Sequence, residues 1–317
     1  MARPSRPPAA QAPSSSPRRP ARRRGDGGWP AYVFLSPWLA GALLLTIGPM
    51  LASLYLSFTD YDLFTAPQWV GLDNYQRLFT DDPRFLSSIK VTVTYVLLAA
   101  PAKLALALAV AILLNRPRRG VGFYRSAFYA PSLLGASVSI ALVWRTTFGD
   151  SGAVDRGLAG IGIHTGGWVS QPDYALYTLI LLAAWQFGAP MVIFLAGLKQ
   201  VPRELYDAAA VDGANGWQSF RKITLPMLSP VLFFNLVLET IHAFQAFTSA
   251  YVVSGGRGGP SDSTLFATLY LYQRGFTDFK MGYASAIAWV ILIGIGIVTA
   301  LLFRTARFWV FYAEGTK

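Results

Sequence analysis

The chain has 317 residues, of which 53% are hydrophobic and only 14% are charged. Because soluble domains carry about 25% charged residues, this composition excludes an ordinary soluble protein and indicates a membrane protein. The formal net charge is +11, and the chain has no cysteine and two histidines. These counts exclude disulfides, thiolate catalysis and cysteine-ligated metals, and they argue against a zinc site.

Residues 1–28 are rich in Pro, Ala, Ser and Arg and lack apolar periodicity, which predicts a disordered basic tail. A nucleic-acid-binding arm would need a folded basic surface or interleaved aromatic residues, and neither accompanies these arginines. We therefore interpret them as the positive flank of a membrane span and expect no nucleic-acid partner. The apolar stretch that follows is longer than the roughly 7–15 residues of a signal-peptide core, so we expect it to remain as an anchor.

Six apolar stretches follow the tail, and each reaches the roughly 20 residues needed to cross a bilayer. They lie at 32–58, 91–114, 124–146, 174–198, 227–253 and 283–303. The stretch at 174–198 has no charged residue, whereas 124–146 contains Pro131 and has Arg125 and Arg145 near its ends. Long arginine side chains can reach the interface, and membrane helices tolerate proline. The sequence therefore predicts an all-α integral membrane protein with six transmembrane helices.

The distribution of charge between the spans predicts their orientation. Four segments hold 18 of the 27 Lys and Arg residues but 5 of the 16 acidic residues, and they are 1–28, 115–125, 199–222 and 304–317. The intervening loops hold 8 basic and 10 acidic residues and lie at 59–90, 145–173 and 254–282. Because cytoplasmic loops are enriched in Lys and Arg, both termini are predicted to face the cytoplasm.

Residues 204–226 form a polar segment between two apolar spans, and the pattern predicts two short helices hinged at Gly213. Three consecutive alanines at 208–210 make the first helix narrow enough for another protein to approach closely. Glycine permits a backbone turn that residues with a Cβ atom resist, and Leu225-Pro226 is predicted to restart the next span. We interpret the segment as a cytosolic helical hairpin that receives force from a soluble partner.

The spacing inside this segment resembles the EAA loop of ATP-binding-cassette importer permeases. Asp-Ala-Ala at 207–209, Gly213, Ile223 and Leu-Pro at 225–226 keep the positions of that loop, with Asp207 in place of its usual Glu. Further segments resemble the carbohydrate-importer branch of these permeases, and they are 71–75, Gly120 with Arg125 and Pro131, 188–190, 198–202 and 283–286. The resemblance covers roughly residues 30–310.

The resemblance implies the transmembrane domain of a type I importer in the plasma membrane of a bacterium. The first transmembrane helix and an external loop would occupy 29–85, the permease core of five helices 86–307 with its coupling loop at 199–226, and a cytoplasmic tail 308–317. The implied partners are a second permease subunit forming a heterodimer, two cytoplasmic ATPase subunits and an extracytoplasmic solute-binding protein. ATP and Mg would be used by the ATPase subunits, so we expect this chain to bind no cofactor or metal and to carry no catalytic residue.

In this family the EAA loop is a coupling helix seated in a cleft of the ATPase. The residues that the resemblance assigns to the coupling loop are Glu204, Asp207, Ala208, Ala209, Asp212, Gly213, Ile223, Leu225 and Pro226.

Polar residues inside the spans are candidates for the substrate path. Asn235, Glu239, His242 and Ser249 recur at helical spacing on one face of the fifth span, with Gln245 at its edge. A charged residue at the bilayer centre costs about 2.5–3.5 kcal/mol, so Glu239 is expected to face protein or water. Sugar hydroxyls need such donors and acceptors, although the same face could instead hold the helices together.

Two further polar residues in apolar spans need an explanation. Gln186, next to Trp185 in the fourth span, is a second candidate for sugar contact. Lys103 in the second span could pair with Glu239 across the bundle or extend to the interface.

The function that the resemblance implies, and that the polar face supports, is import of a sugar or related polyol through a non-catalytic permease subunit. An importer of amino acids or peptides is the nearest alternative. A proton-coupled secondary transporter, with Glu239 and Lys103 as a relay, is another. An intramembrane enzyme lacks support, because the sequence has no His-Glu-x-x-His helix and no metal cluster.

Overall fold

The computed structural model describes residues 29–116, 119–135, 137–163 and 165–311. The predicted tail at 1–28 and residues 312–317 lie outside these ranges. The chain divides into two compact units, Met1–Leu51 and Ala52–Lys317.

The described part of the first unit is helical. It contains α1 (Trp29–Ala42), a π-helical turn (Leu43–Ile47) and the beginning of α2 (Gly48–Ser57). From Tyr32 to Ser57 the helix is long and apolar enough to cross a membrane, in agreement with the predicted span at 32–58.

The second unit is also mainly helical. Its helices before the predicted hairpin are α3 (Asp73–Thr80), α4 (Pro83–Asn115), α5 (Val121–Leu134), α6 (Val138–Phe148), α7 (Ala153–Ala159), α8 (Pro172–Trp185) and α9 (Gly188–Gln200). The later helices are α10 (Arg203–Val211), α11 (Gly216–Ser219), α12 (Leu225–Phe244), α13 (Thr248–Val253), α14 (Ala267–Tyr272) and α15 (Met281–Trp309). Shorter turns are π-helical at Phe220–Thr224 and Gln273–Thr277 and 3-10 at Pro260–Asp262.

One small sheet interrupts the predicted all-α architecture. Strands β1 (Thr59–Asp60) and β2 (Gln68–Trp69) pair antiparallel, with Thr59 opposite Trp69 and Asp60 opposite Gln68. The two paired strands close the loop that follows α2. Helix α3 forms after this loop, in a segment whose polar and apolar residues are arranged as in a short amphipathic helix.

Four continuous helices within the described residues are long and apolar enough to span a membrane. They are Tyr32–Ser57, Pro83–Asn115, Gly216–Phe244 and Met281–Trp309. Two bent pairs, Val121–Leu134 with Val138–Ala159 and Pro172–Trp185 with Gly188–Gln200, raise the number to six if each pair counts as one span. The described chain is therefore mostly helical with four to six candidate spans.

Two of the predicted spans are not single helices, which corrects the sequence prediction. The stretch at 124–146 is interrupted between Leu134 and Val138, and the uncharged stretch at 174–198 bends by 43° between Trp185 and Gly188. Pro190 explains the second break, because it has no N–H to donate to the carbonyl of Gln186 four residues earlier. Hydropathy averaged over a span does not register such a break.

The predicted span at 227–253 has different ends in the structure. The helix begins at Gly216, passes through the π-helical turn Phe220–Thr224 and ends at Phe244, and α13 starts only at Thr248. Leu225-Pro226 therefore continues a helix rather than restarting one. A π-helical turn also precedes Pro49, so both prolines follow a turn that is wider than that of an α-helix.

Helix α4 is the centre of the second unit and packs against α8, α9 and α12. Its buried face includes several small residues, among them Ala99, Ala107 and Ala111, which let the neighbouring backbones approach closely. Met191 and Phe194 of α9 are fully buried against that face. This packing brings the middle of α4 next to the middle of α12, where the candidate site lies.

Candidate functional site

A cavity of about 460 Å³ lies among α4, α6, α8, α12 and α13. Its wall combines hydroxyl, amide, imidazole and charged groups with two aromatic rings. The polar lining residues are Lys103, Ser132, Ser137, Gln186, Glu239, His242, Gln245, Thr248 and Ser249, and the rings are those of Tyr95 and Phe247. Such a wall offers many hydrogen-bond donors and acceptors inside an otherwise apolar helix bundle.

An ion pair between α4 and α12 forms part of this wall. Lys103 Nζ lies 2.7 Å from Glu239 Oε2, and the two side chains are only 15% and 12% exposed. Of the two alternatives for Lys103, the structure therefore shows the pairing with Glu239. Each charge offsets the cost of burying the other, because a buried ion without a partner loses its hydration with no compensation.

Most of the predicted path residues line the cavity, namely Gln186, Glu239, His242, Gln245 and Ser249. Asn235 does not, because it is only 2% exposed and its Nδ2 donates to Val231 O one turn earlier on the same helix.

The predicted shared helical face is wrong for Ser249, since α12 ends at Phe244 and Ser249 lies on α13. The chain turn at 245–247, rather than helical periodicity, brings Ser249 to the same cavity.

The two broken spans meet at their breaks beside the cavity. Ser132 Oγ donates to Gln186 O at 3.0 Å and accepts from Ala189 N at 2.9 Å. Gln186 Nε2 in turn donates to Gly135 O at 2.9 Å. Side chains near each break thus form hydrogen bonds with backbone groups that lack a helical partner at the other break. Such groups need partners from the protein where water is scarce.

A close backbone approach at Gly188 keeps this junction compact. A Cβ atom there would lie 2.6 Å from Phe128 O and 2.8 Å from Tyr129 Cα. Only glycine fits at this distance without displacing the backbone of α5.

Several cavity residues were not predicted from the sequence, notably Tyr95, Ser132, Ser137 and Thr248. Ser132 carried a usable signal, because it directly follows Pro131 inside an apolar stretch, and a hydroxyl beside a proline can satisfy freed backbone groups. Tyr95 and Thr248 carried none, since their neighbours in sequence do not distinguish a cavity wall from ordinary packing.

The predicted hairpin is present at 203–224. Helix α10 ends at Val211, and Gly213 has a φ of +75°. Helix α11 begins at Gly216, and Asn215 and Gln218 form a capping box at its start. A positive φ is a conformation that residues other than glycine resist, so Gly213 serves as the predicted hinge.

The residues assigned to the coupling loop fall into two groups by burial. Glu204, Asp207, Ala208, Asp212 and Gly213 are exposed, whereas Ala209, Ile223, Leu225 and Pro226 are half-buried.

Apolar side chains are also exposed on this hairpin. Val211 is 89% exposed, and Leu205 and Trp217 are exposed as well. Apolar groups displayed together on a small polar element are typical of a surface that binds another protein.

A separate polar cluster surrounds Asp82, just before α4. Its carboxylate accepts hydrogen bonds from the hydroxyls of Tyr270 and Tyr283 and from the Phe85 amide, and Arg274 lies 3.7 Å away. Burial raises the pKa of this carboxyl, but the hydrogen bonds outweigh burial, so its pKa lies below the ordinary value of 3.8. The cluster fastens the start of α4 to α14 and α15.

The model of a family described as the binding-protein-dependent transport system inner membrane component matches residues 78–308. A Bacillus subtilis protein, the probable ABC transporter permease protein YesP, is 53% identical over 89% of this chain and 91% of its own length. The lactose transport system permease protein LacF of Rhizobium radiobacter is 32% identical over 87% of this chain and 93% of its own length.

A solved structure shares the fold of the chain. It is a bacterial ABC transporter described as involved in the import of the acidic polysaccharide alginate. The similarity has a TM-score of 0.76 at 22% identity and covers 88% of this chain and 96% of the solved chain. At this level of identity the similarity establishes the fold alone.

Proposed function

The chain belongs to the family of binding-protein-dependent transport system inner membrane components, and from that premise we propose that it is the permease subunit of an ATP-binding-cassette importer for a sugar or related polyol. The predicted resemblance to importer permeases is thereby confirmed. The match is to a component of binding-protein-dependent transport systems, so a proton-coupled secondary transporter is not proposed.

The cavity between α4, α8 and α12 is the observation that carries the choice of solute. Hydroxyl, amide and imidazole groups line it on several sides, and two aromatic rings provide apolar surface. A sugar presents both hydroxyls and apolar ring faces, so it matches such a wall. Relatives named as permeases for lactose and for sn-glycerol 3-phosphate support the same class of solute.

The proposed partners are those that the resemblance to importer permeases implies. A second permease subunit would complete the path as a heterodimer, two cytoplasmic ATPase subunits would use ATP and Mg, and an extracytoplasmic binding protein would deliver the solute. A solved relative is a transporter in complex with a ligand-bound periplasmic protein. This chain would lie in a bacterial plasma membrane with both termini in the cytoplasm, and it would perform no covalent chemistry itself.

The hairpin at 203–224 is proposed as the site that receives the ATPase. Its exposed residues include acidic groups and the apolar side chains of Val211 and Trp217, a mixture suited to a protein cleft. Its second half continues through the π-helical turn into α12, so a displacement of the hairpin acts directly on a helix that lines the cavity.

The test uses the transporter assembled in liposomes with its proposed partner subunits. Ala208→Asp adds a charge on the exposed face of α10, and Ala66→Asp makes the same change at an exposed site in the loop after β1. We expect Ala208→Asp to abolish both uptake and stimulation of ATP hydrolysis by the loaded binding protein, and Ala66→Asp to preserve them.

The solute class is tested by offering lactose, arabino-oligosaccharides, sn-glycerol 3-phosphate and a mixture of amino acids and peptides to the same liposomes. Uptake confined to amino acids or peptides would replace the sugar assignment with the nearest alternative.

Normal uptake by the Ala208→Asp variant would contradict the role of the hairpin.

A further inference from the structure

Helix α10 has one partly buried side, which two residues mark. Tyr206 and Ala209, three positions apart, are half-buried, whereas the other residues of α10 are exposed. Residues at this spacing lie on the same face of a helix. Tyr206 is therefore the large side chain of α10 that faces the rest of its own chain.

The hydroxyl of Tyr206 reaches the base of α12. Tyr206 Oη lies 2.9 Å from Thr224 Oγ1, and Thr224 is only 7% exposed. Either hydroxyl can be the donor in this bond, because each carries one hydrogen and can also accept. Thr224 Oγ1 also lies 3.5 Å from Ser219 O.

Thr224 occupies a mechanically important position. It is the last residue of the π-helical turn Phe220–Thr224, and α12 starts immediately after it. From there α12 runs without a break to Phe244 and carries Glu239 and His242 into the cavity wall. At 1.5 Å per residue, Glu239 lies about 22 Å along the helix from Thr224.

We propose that Tyr206 is a positioning residue whose hydrogen bond to Thr224 transmits movement of the hairpin to α12 and so to the cavity. The covalent connection from α10 to α12 passes through the Gly213 hinge and can bend. The hydrogen bond bypasses that hinge and joins α10 directly to the start of α12. This inference rests on the proposed coupling function of the hairpin.

The absence of cysteine from the chain allows a direct readout of the cavity. In the assembled transporter, Ser249→Cys is labelled with a water-soluble maleimide, and the label on this subunit is measured with and without vanadate-trapped nucleotide. The response is the ratio of the two labelling rates. It requires no knowledge of the transported sugar.

Tyr206→Phe and Thr224→Val each remove one hydroxyl while preserving size, and Thr224→Ser retains the hydroxyl. Tyr177→Phe, at an exposed tyrosine of α8, is the matched control. A hydrogen bond of ordinary strength shifts an equilibrium by about two- to tenfold, so we expect the nucleotide response to fall by that factor in Tyr206→Phe and Thr224→Val. Thr224→Ser and Tyr177→Phe should give the same response as the subunit that carries Ser249→Cys alone. The double variant Tyr206→Phe with Thr224→Val should lose no more of the response than either single variant.

The outcomes separate this inference from the proposed function. If the reporter responds to nucleotide but Tyr206→Phe responds equally, the inference is overturned and the proposed function stands. An additive loss in the double variant, or a loss in Thr224→Ser as large as in Thr224→Val, would assign the residues to packing and also overturn it. If the labelling rate does not change with nucleotide in the subunit that carries Ser249→Cys alone, the proposed coupling is overturned and the inference with it.

Discussion

Glu239 and Lys103 illustrate at the residue scale how a membrane protein accommodates charge. Each is an isolated ion in an apolar helix, and either alone would be costly to bury. The structure places them 2.7 Å apart on neighbouring helices, at the wall of the cavity. The pair therefore ties α4 to α12 as well as contributing polar groups to the cavity wall.

Removing one member of this pair should damage the protein more than removing both. Lys103→Met leaves Glu239 as an uncompensated charge, a defect that costs about 3–5 kcal/mol in other proteins. We expect each of Lys103→Met and Glu239→Leu to reduce the yield and melting temperature of the assembled transporter, and the double variant to recover most of both. Size-exclusion chromatography and thermal unfolding measure this, and a double variant as unstable as the sum of the single ones would contradict it.

Asp82 makes a second prediction at the same scale, concerning pH. Its folded pKa lies below the ordinary value of 3.8, so it contributes stability above its unfolded pKa and loses that contribution as pH falls through the folded pKa. The stability difference between the unmodified protein and Asp82→Asn should stay constant from about pH 7 to 5 and narrow below about pH 4. Denaturant unfolding followed by tryptophan fluorescence measures this difference.

Asp81→Asn is the control for that experiment, because Asp81 is the exposed neighbour of Asp82 in sequence. It should change stability by no more than about 0.5 kcal/mol at neutral pH. A difference for Asp82→Asn that widens as the pH falls would show that its carboxyl does not have a lowered pKa.

At the scale of elements, the two broken spans form one junction. Ser132 and Gln186 exchange hydrogen bonds with backbone groups across the breaks, and Gly188 allows the two chains to approach. Helix breaks in a membrane are tolerated where neighbouring protein supplies the missing partners. Since both breaks border the cavity, the junction gives the wall its shape.

Gly188→Ala should therefore destabilise the subunit. Its Cβ atom would lie 2.6 Å from Phe128 O, which cannot move without shifting α5, and overpacking of this kind costs about 1–3 kcal/mol. Gly122→Ala on the same helix pair meets no atom within 4 Å and should be neutral or slightly stabilising. Comparison of the two melting temperatures in detergent tests this, and equal values would contradict the close approach at Gly188.

At the scale of the whole molecule, the basic residues are concentrated in alternate segments between the spans. Eighteen of the 27 Lys and Arg residues lie in segments predicted to face the cytoplasm, including the tail 1–28 and the hairpin. The predicted membrane orientation would account for the net charge of +11. The hairpin and the loop at 59–90 should then lie on opposite sides of the membrane.

Single cysteines can check this orientation, because the unmodified chain has none. In intact cells, a membrane-impermeant maleimide should label Ala66→Cys at once, whereas Ser15→Cys in the tail should be labelled only after permeabilisation. Labelling of Ser15→Cys in intact cells would reverse the predicted orientation.

Composition and local spacing alone determined the class of the protein, the places of the apolar stretches and the hairpin with its glycine hinge. These features depend on interactions between residues close in sequence or between a segment and its solvent. Apolar length decides whether a helix can enter a bilayer, and the positive φ at residue 213 is a local demand that glycine meets.

The tertiary structure alone decided where the spans break and which polar residues meet. Gln186 and Ser132 are 54 positions apart, and Lys103 and Glu239 are 136 apart, so no periodicity relates them. The Asn235 side chain donates a hydrogen bond to a carbonyl of its own helix, whereas Ser249 reaches the cavity from α13. Ser249 lies on a separate helix because α12 ends at Phe244. The physical reason is that a broken membrane helix persists only if a distant part of the chain supplies its missing hydrogen bonds, and only packing brings that part within reach.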